Sequence, residues 1–205
     1  MTQRLLGLTG GIATGKSTVA ALLAEMGIPI LDADQLAREA VSPGSPILQD
    51  LFDHFGSEIQ DQNGQLDRKA LGRIVFDHPE ERSWLEQQIH PYVKAQLRAR
   101  TTQWQDHSIV CWVVPLLFEA GMTDMVTEIW VVTCPPHQQK QRLRDRDNLT
   151  EMEIQARIDS QWPLDQKVTL ADVVLDNSAR IQDLQVQVSR AIDKGKTYPL
   201  GSGTG

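Results

Sequence analysis

The sequence predicts a three-layer α/β domain in which helices cover both faces of a mostly parallel, five-stranded sheet. Three observations predict it. Five short apolar runs, each suited to burial on both faces as parallel strands are, alternate with segments of helical periodicity. Gly10-Gly11-Ile12-Ala13-Thr14-Gly15-Lys16-Ser17 fills every fixed position of the G-x-x-x-x-G-K-[ST] phosphate-binding loop. That loop also has an apolar strand before it and an apolar helical stripe after it, the context in which such a pattern becomes a site. Ligands of a sheet of this kind lie at the carboxyl ends of its strands.

Leu5, Leu6 and Leu8 supply the first strand. Val19, Leu22, Leu23 and Met26 then recur at i, i+3, i+4 and i+7, the stripe of a helix packed on a sheet, and Gly27 and Pro29 stop it. Residues 28–31 read as a second strand ending at Asp32-Ala33-Asp34, and 35–41 as a helix closed by the turn cluster Ser42-Pro43-Gly44-Ser45-Pro46. A clearer helix carries Ile47, Leu48, Leu51, Phe52 and Phe55 on one face and ends at Gly56. After the polar turn Asp61-Gln62-Asn63-Gly64, residues 67–104 are helical throughout. Pro79 and Pro91 each stand where a helix would begin, so the segment divides into three helices. It is too long for a simple crossover and reads as an inserted lobe. Strands follow at 109–114, 128–133 and 172–175. Between the last two lies a charged helical stretch, 136–169, in which Thr150 and Glu153 have capping-box spacing. Ile181, Leu184, Val188 and Ile192 mark a final helix, and 194–205 is expected to fray.

The chain of 205 residues suits one domain, 1–205, with inserted lobes. Its formal net charge of −7 excludes a sequence-independent nucleic-acid binder, which needs a basic face, so no nucleic-acid partner is expected. No run approaches the roughly 18 apolar residues of a membrane span, and no cationic segment precedes a long apolar one. The expectation is a soluble, cytoplasmic protein without membrane attachment. Cys111 and Cys134 lie in or beside apolar strands without CxxC spacing and read as buried, reduced thiols.

The loop chemistry follows from the charge of a triphosphate. Its oxygens are held by a ring of backbone N–H groups and by the positive end of a helix dipole. In that arrangement Gly11, Ile12, Ala13, Thr14, Gly15 and Thr18 supply the cradle and the first helical turn. Lys16 reaches the β- and γ-phosphates, and the Ser17 hydroxyl is placed to ligate Mg²⁺. Phosphoryl transfer to a hydroxyl also needs a carboxylate for the acceptor proton, and Mg²⁺ needs an acidic partner. The third strand ends in Val114-Pro115 and lacks the usual aspartate, which leaves Asp32 and Asp34. If the backbone stays extended, the two carboxylates face one side. Asp34 equally suits the N-cap of a helix beginning at Gln35. Arg142 and Arg146, at i and i+4, share a helix face that reads either as a phosphate-stabilising flap or as a solvated surface laced with Asp145 and Asp147. Arg38, one turn beyond Asp34, is a surface arginine within reach of an anionic acceptor. His90 is a helix-boundary residue, and the five histidines show no metal-ligand spacing.

These residues together resemble the dephospho-CoA kinase family. The likeness runs from Leu8 to Asn177. It is carried by Leu8-Thr9-Gly10-Gly11-Ile12, Asp32-Ala33-Asp34 with Ala37-Arg38, His90-Pro91, Pro115-Leu116-Leu117-Phe118-Glu119, the 142–147 segment, Arg157-Ile158 with Gln161, and Ala171-Asp172 followed by Asn177. The resemblance implies the P-loop kinase fold, with 67–104 as a CoA-binding lobe and 136–169 as a lid. It implies ATP and Mg²⁺ as co-substrate and ion, and transfer to the ribose 3′-hydroxyl of dephospho-CoA. It puts the catalytic acid on Asp34 with Asp32 beside it, the lid arginine on Arg142, and Arg146 and Asn177 with the nucleotide. Thr9, Arg38, His90, Leu117 and Glu119 fall on the acceptor side, and Ser17 and Asp34 on the metal. A monomer or small homo-oligomer is expected. Two positions depart from the family pattern: Ala13 and Thr14 replace a glycine and a serine, so Ala13 either takes φ < 0 or is strained, and Asn148 replaces a glycine after the lid arginines.

Two other functions share parts of this pattern. A kinase for another hydroxyl or nucleotide acceptor would keep the loop and differ in the inserted lobe. A nucleotide-dependent switch that works by binding a partner would also keep the loop; of that class a GTPase would need a guanine-reading N-K-x-D after a strand, which the sequence lacks. Asp61 to Gly64 fits D-x-x-G only by letters, since it lies in a turn with no strand before it.

Overall fold

A computed structural model of the chain describes residues 3–194; the expected frayed tail lies, from 195 onward, outside the described residues. The strands are β1 (Arg4–Gly10), β2 (Ile30–Asp32), β3 (Ile109–Val113), β4 (Glu128–Thr133) and β5 (Val173–Asp176), in the spatial order β2-β3-β1-β4-β5. β1 runs parallel to both β3 and β4, and β4 parallel to β5. The β2 edge begins where the Cys111 N–H donates to the Pro29 carbonyl at 2.9 Å. All five residues of β3 and the last five of β1 are buried, which is why these runs read as continuously apolar rather than alternating. Pairing of Gly10 with Val132 and of Thr133 with Asp176 brings the carboxyl ends of β1, β4 and β5 to one edge.

The chain divides into two compact units. The first comprises the residues up to Ile30 together with those from Asp106 onward, and the second is Leu31–Gln105. In the first unit, α1 (Lys16–Glu25) and α9 (Ile181–Lys194) pack against one another and against the sheet, burying Leu6, Leu8, Val19, Leu23, Trp130, Val132, Leu184 and Val188. The stretch 136–169, expected as one charged helical region, is three helices: α6 (Pro136–Asp147), α7 (Glu151–Asp159) and α8 (Leu164–Thr169). Asn148 ends α6 in the left-handed conformation at φ 51°, which Asn tolerates better than other non-glycine residues. Thr150 and Glu153 then close the capping box that their spacing predicts.

The second unit holds α2 (Ala33–Ala40), α3 (Pro46–Phe55), α4 (Arg68–Asp77) and α5 (Pro79–Thr101) around Ala40, Val41, Leu51, Ile59 and Leu71. Ser45 and Asp67 cap α3 and α4 by accepting backbone N–H groups two or three residues on. Two expectations are corrected here. Pro91 does not start a helix: it lies inside α5, whose continuity is kept by the buried Val93 and Leu97 in spite of the N–H that proline lacks. Asp34 is not the N-cap of its helix. Asp32 is, its Oδ1 accepting from Asp34 N at 2.8 Å and Gln35 N at 3.4 Å, so the extended backbone stops at Asp32 and the two carboxylates do not share a strand face.

At the amino ends of β1 and β4, Arg4 grips Glu128 in bidentate fashion, Nε to Oε1 at 2.6 Å and Nη2 to Oε2 at 2.9 Å, while its Nη1 donates to the Ile192 carbonyl of α9 at 2.9 Å. The Arg4 hydrogen bonds hold the Glu128 carboxyl below the usual carboxylate range, against the opposing effect of burial. A carboxyl with a depressed folded pKa stabilises the fold above its unfolded pKa and loses that contribution as pH falls through the folded value. Glu128→Gln is therefore expected to cost about 1 kcal/mol at neutral pH after solvent screening. Thermal unfolding of both proteins across acid pH should show the gap close as pH drops through the carboxylate range; a gap independent of pH would contradict the assignment.

Candidate active site

β1 delivers Gly10 to the carboxyl edge of the sheet, and the chain must then turn tightly into α1. Gly10 sits at φ 147°, where an added Cβ would lie 2.4 Å from the Val132 carbonyl oxygen. Gly15 sits at φ 106° as the N-cap of α1, and a Cβ there would come within 2.0 Å of Asn177 Nδ2. At Gly10 a side chain would meet backbone and could enter only with a shift of the main chain, whereas at Gly15 it would displace the Asn177 side chain; at both, the positive φ favours glycine. Ala13, by contrast, adopts φ 57° as a non-glycine residue, so of the two outcomes open to it the loop takes the strained one. Inside the turn, buried Thr14 donates its hydroxyl to the Gly11 carbonyl at 2.9 Å. The Lys16 ammonium curls back over the loop and donates to the carbonyls of Gly10 at 3.2 Å and Gly11 at 2.8 Å.

Side chains from the 136–177 region hold the loop from outside. Gln139 of α6, buried, donates Nε2 to the Ile12 carbonyl at 2.8 Å, and Gln161, between α7 and α8, accepts the Ile12 N–H at 2.9 Å. Arg142 donates Nη1 to the Thr14 carbonyl at 3.2 Å and Nη2 to the Asn177 carbonyl at 2.8 Å. Asn177 extends the β5 pairing through its own N–H to Thr133 and donates Nδ2 to the same Thr14 carbonyl at 2.8 Å. Arg142 and Asn177 thus converge on one loop carbonyl, and both peptide groups of Ile12 are held by glutamines.

Arg146 shares the helix face of Arg142 in sequence but not its partners. Its guanidinium makes a bidentate pair with Asp147, both bonds at 2.8 Å, and this pair holds the Asp147 carboxyl below its usual range. Arg157 approaches the same carboxylate at 3.3 Å. Ser17 and Thr18 lie on the first turn of α1, with Ser17 exposed. Thr9 and Leu117 are fully buried, and the Thr9 hydroxyl donates to the Pro115 carbonyl at 3.0 Å. Glu119 is partly buried, its Oε1 accepting the Trp162 N–H at 2.9 Å.

The remaining expected site residues belong to the second unit. Asp32 caps α2, Asp34 occupies its exposed first turn, and Arg38 its last turn, where the Arg38 carbonyl accepts from Arg68 Nη2 at 3.2 Å. His90 lies within α5, and burial pushes its pKa below the ordinary histidine value, which keeps it neutral at pH 7. Cys111 and Cys134 are buried free thiols; burial pushes Cys111 up to about 12 and raises Cys134, so neither is a nucleophile. Among the described residues no cluster of three or more His, Cys, Asp or Glu forms a cage for a metal ion. A Mg²⁺ that keeps its waters and rides on a nucleotide needs no such cage, and the exposed Ser17 hydroxyl at the loop fits that mode.

Gln139 and Lys167 escape the sequence reading, and Gln161 enters it only as part of a resemblance. The one signal for Gln139 is its i, i+3 relation to Arg142, which puts both on one face of α6.

The model of the dephospho-CoA kinase family matches residues 4–183. A dephospho-CoA kinase of Gloeobacter violaceus is 55% identical over 194 residues, covering 95% of this chain and 94% of the relative. A solved Thermus thermophilus structure superposes with a TM-score of 0.85 at 33% identity, covering 97% of this chain and all of its own. The dephospho-CoA kinase of Campylobacter jejuni superposes with a TM-score of 0.70 at 26% identity, covering 94% and 97%.

Ala13→Gly should raise thermal stability. It relieves about 1–2 kcal/mol of left-handed strain and returns about 0.4–1 kcal/mol through the freer unfolded chain. The expected net gain is about 0.5–1 kcal/mol, read as a higher Tm; a lower Tm would mean that Ala13 is not strained.

Proposed function

This chain belongs to the dephospho-CoA kinase family, and we propose that it carries out the family reaction through the phosphate loop and the acidic turn of α2. The reaction is ATP-dependent phosphorylation of dephospho-CoA at the ribose 3′-hydroxyl, giving coenzyme A and ADP. The observation that carries this reading is the convergence of Lys16 and Arg142 on one loop of main-chain groups at the carboxyl edge of the sheet.

The 3′-oxygen attacks the γ-phosphorus while the bond to the β–γ bridging oxygen breaks, and ADP leaves. Little covalent chemistry is asked of the protein, so catalysis is positioning and charge stabilisation. Loop amides and the amino end of α1 hold the phosphates. Lys16 neutralises charge on the β- and γ-phosphoryl oxygens, and the Arg142 guanidinium, a planar multi-donor group, stabilises the equatorial oxygens as charge spreads over them. Asp34 takes the proton from the acceptor hydroxyl. Ser17 would hold the nucleotide's Mg²⁺, which would supply neutralisation of phosphate charge. Residues 67–104 serve as the acceptor lobe and 136–169 as the lid, with Arg38 and His90 on the acceptor side. Thr9 and Leu117, expected on the acceptor side, are wholly buried. Among the described residues, no helix is long and apolar enough to cross a membrane.

Incubation with ATP, Mg²⁺ and dephospho-CoA should yield a product heavier by one phosphoryl group, located at the ribose 3′-position by mass spectrometry. Phosphorylation of other small alcohols in preference to dephospho-CoA would overturn the acceptor assignment. Lys16→Ala is expected to lower kcat by about a hundredfold or more, and a variant turning over at the parent rate would remove the mechanism. Asp34→Asn should keep its fold by circular dichroism while kcat drops by about 10²- to 10⁴-fold; intact turnover would leave Asp34 as a first-turn residue and nothing more.

A further inference from the structure

Lys167 on α8 is wholly buried, and its ammonium lies 2.8 Å from Glu119 Oε1. Beyond that ion pair, Lys167 Nζ has no hydrogen-bond partner among the described residues, and neither does the buried Glu119 Oε2. A buried ion pair repays the desolvation of its charges only when further hydrogen bonds satisfy what the pair leaves over. This pair has one such bond, to the Trp162 N–H, and leaves the Lys167 ammonium and Glu119 Oε2 otherwise unsatisfied, so two apolar side chains of similar volume would anchor α8 to the segment after β3 at least as well. What the charges supply is direction. The carboxylate oxygen that meets Lys167 also accepts the Trp162 N–H at 2.9 Å, and the Trp162 ring stacks on Phe118 with centroids 5.8 Å apart and planes 15° from parallel. The peptide joining residues 161 and 162 is thereby fixed, and the Gln161 carboxamide next to it accepts the Ile12 N–H of the phosphate loop at 2.9 Å.

We propose that Lys167 is a positioning residue for nucleotide binding: through Glu119 it fixes the 161–162 peptide, so that Gln161 holds the phosphate loop in its binding shape. Without the ammonium, the partly buried Glu119 carboxylate keeps only the Trp162 N–H and is better solvated turned toward water, away from that N–H. Without that anchor, Gln161 must give up side-chain freedom to reach Ile12, and the loop must be ordered by the nucleotide at a cost in affinity. The inference rests on the loop being the ATP site, so the test reads ATP binding without acceptor and includes the parent protein.

MgATP is titrated by calorimetry into the parent, Lys167→Met, Gln161→Leu, the Lys167→Met/Gln161→Leu double variant and the Lys167→Met/Glu119→Leu double variant. Lys167→Met and Gln161→Leu should each weaken binding about fivefold, the equivalent of one neutral hydrogen bond. Combined, they should weaken it no further, because both remove the same contact. Lys167→Met alone leaves the partly buried Glu119 carboxylate without its cation and is the variant most at risk of misfolding. The Lys167→Met/Glu119→Leu pair removes both charges, and should unfold at or above the parent temperature while still binding ATP about fivefold more weakly. Three results would overturn the proposal: losses that multiply to about 25-fold in the Lys167→Met/Gln161→Leu variant, parent affinity in Gln161→Leu, or parent affinity in the Lys167→Met/Glu119→Leu variant. A parent that fails to bind ATP would instead refute the nucleotide reading itself.

Discussion

The site depends on what happens to the carbonyls of the phosphate loop. A chain segment can aim its N–H groups at an anion only if its C=O groups are satisfied elsewhere, because a backbone group left unpaired near the interior costs about as much as a lost hydrogen bond. Here the carbonyls of Gly10 and Gly11 take the Lys16 ammonium, that of Ile12 takes Gln139, and that of Thr14 takes both Arg142 and Asn177. With these acceptors occupied, the turn holds a shape that includes a strained alanine and two glycines at positive φ, one of them pressed against the Val132 backbone. The strain at Ala13 persists because its neighbours are fixed from outside.

The sheet makes this possible by register. β1 and β4 pair so that Gly10 lies beside Val132, and β4 and β5 pair so that Asn177 emerges directly after Asp176. Asn177 is thus carried by a strand two places away from β1 and still meets the loop. The helices after β4 provide the rest. α6 brings Gln139 and Arg142, and the α7–α8 connection brings Gln161, while the exposed side of the same region is tied together by Lys140 and Arg144 on Glu151 and by Arg146 and Arg157 on Asp147. Those outer pairs are solvent-exposed and contribute little each. The inner contacts are the ones that join this region to the loop.

How much of this could be read in the sequence follows from the range of each interaction. The loop was legible because its residue types are fixed by local geometry: glycine where φ is positive or space is absent, and lysine at the first helical position. The strands were legible because burial on both faces leaves an unbroken apolar run. Thr150 and Glu153 announced a helix start across three residues. Asp32 misled because Asp32 and Asp34 are equally good caps by type, and only the backbone decides that the helix begins at Ala33. Pro91 misled because proline's preference for a first turn was overridden by packing of Trp84, Leu85 and Ile89 before it and of Val93 and Leu97 after it. Gln139 and Gln161 were not legible as loop supports, since a glutamine that reaches over a hundred residues along the chain has no local mark. Lys167 was the hardest, since a lysine in a charged stretch reads as solvated, and nothing short of the tertiary structure brings Glu119 beneath it.

The central claim is that the loop is shaped by the protein before any nucleotide arrives. Amide hydrogen exchange, resolved by residue with NMR on the nucleotide-free protein, tests it most directly at Ile12, bonded to Gln161, and at Thr14, bonded to the Gly11 carbonyl. A preformed loop predicts exchange at both amides slowed by at least about a hundredfold relative to an unstructured peptide. Exchange at the unstructured rate, slowing only once ATP is added, would contradict it.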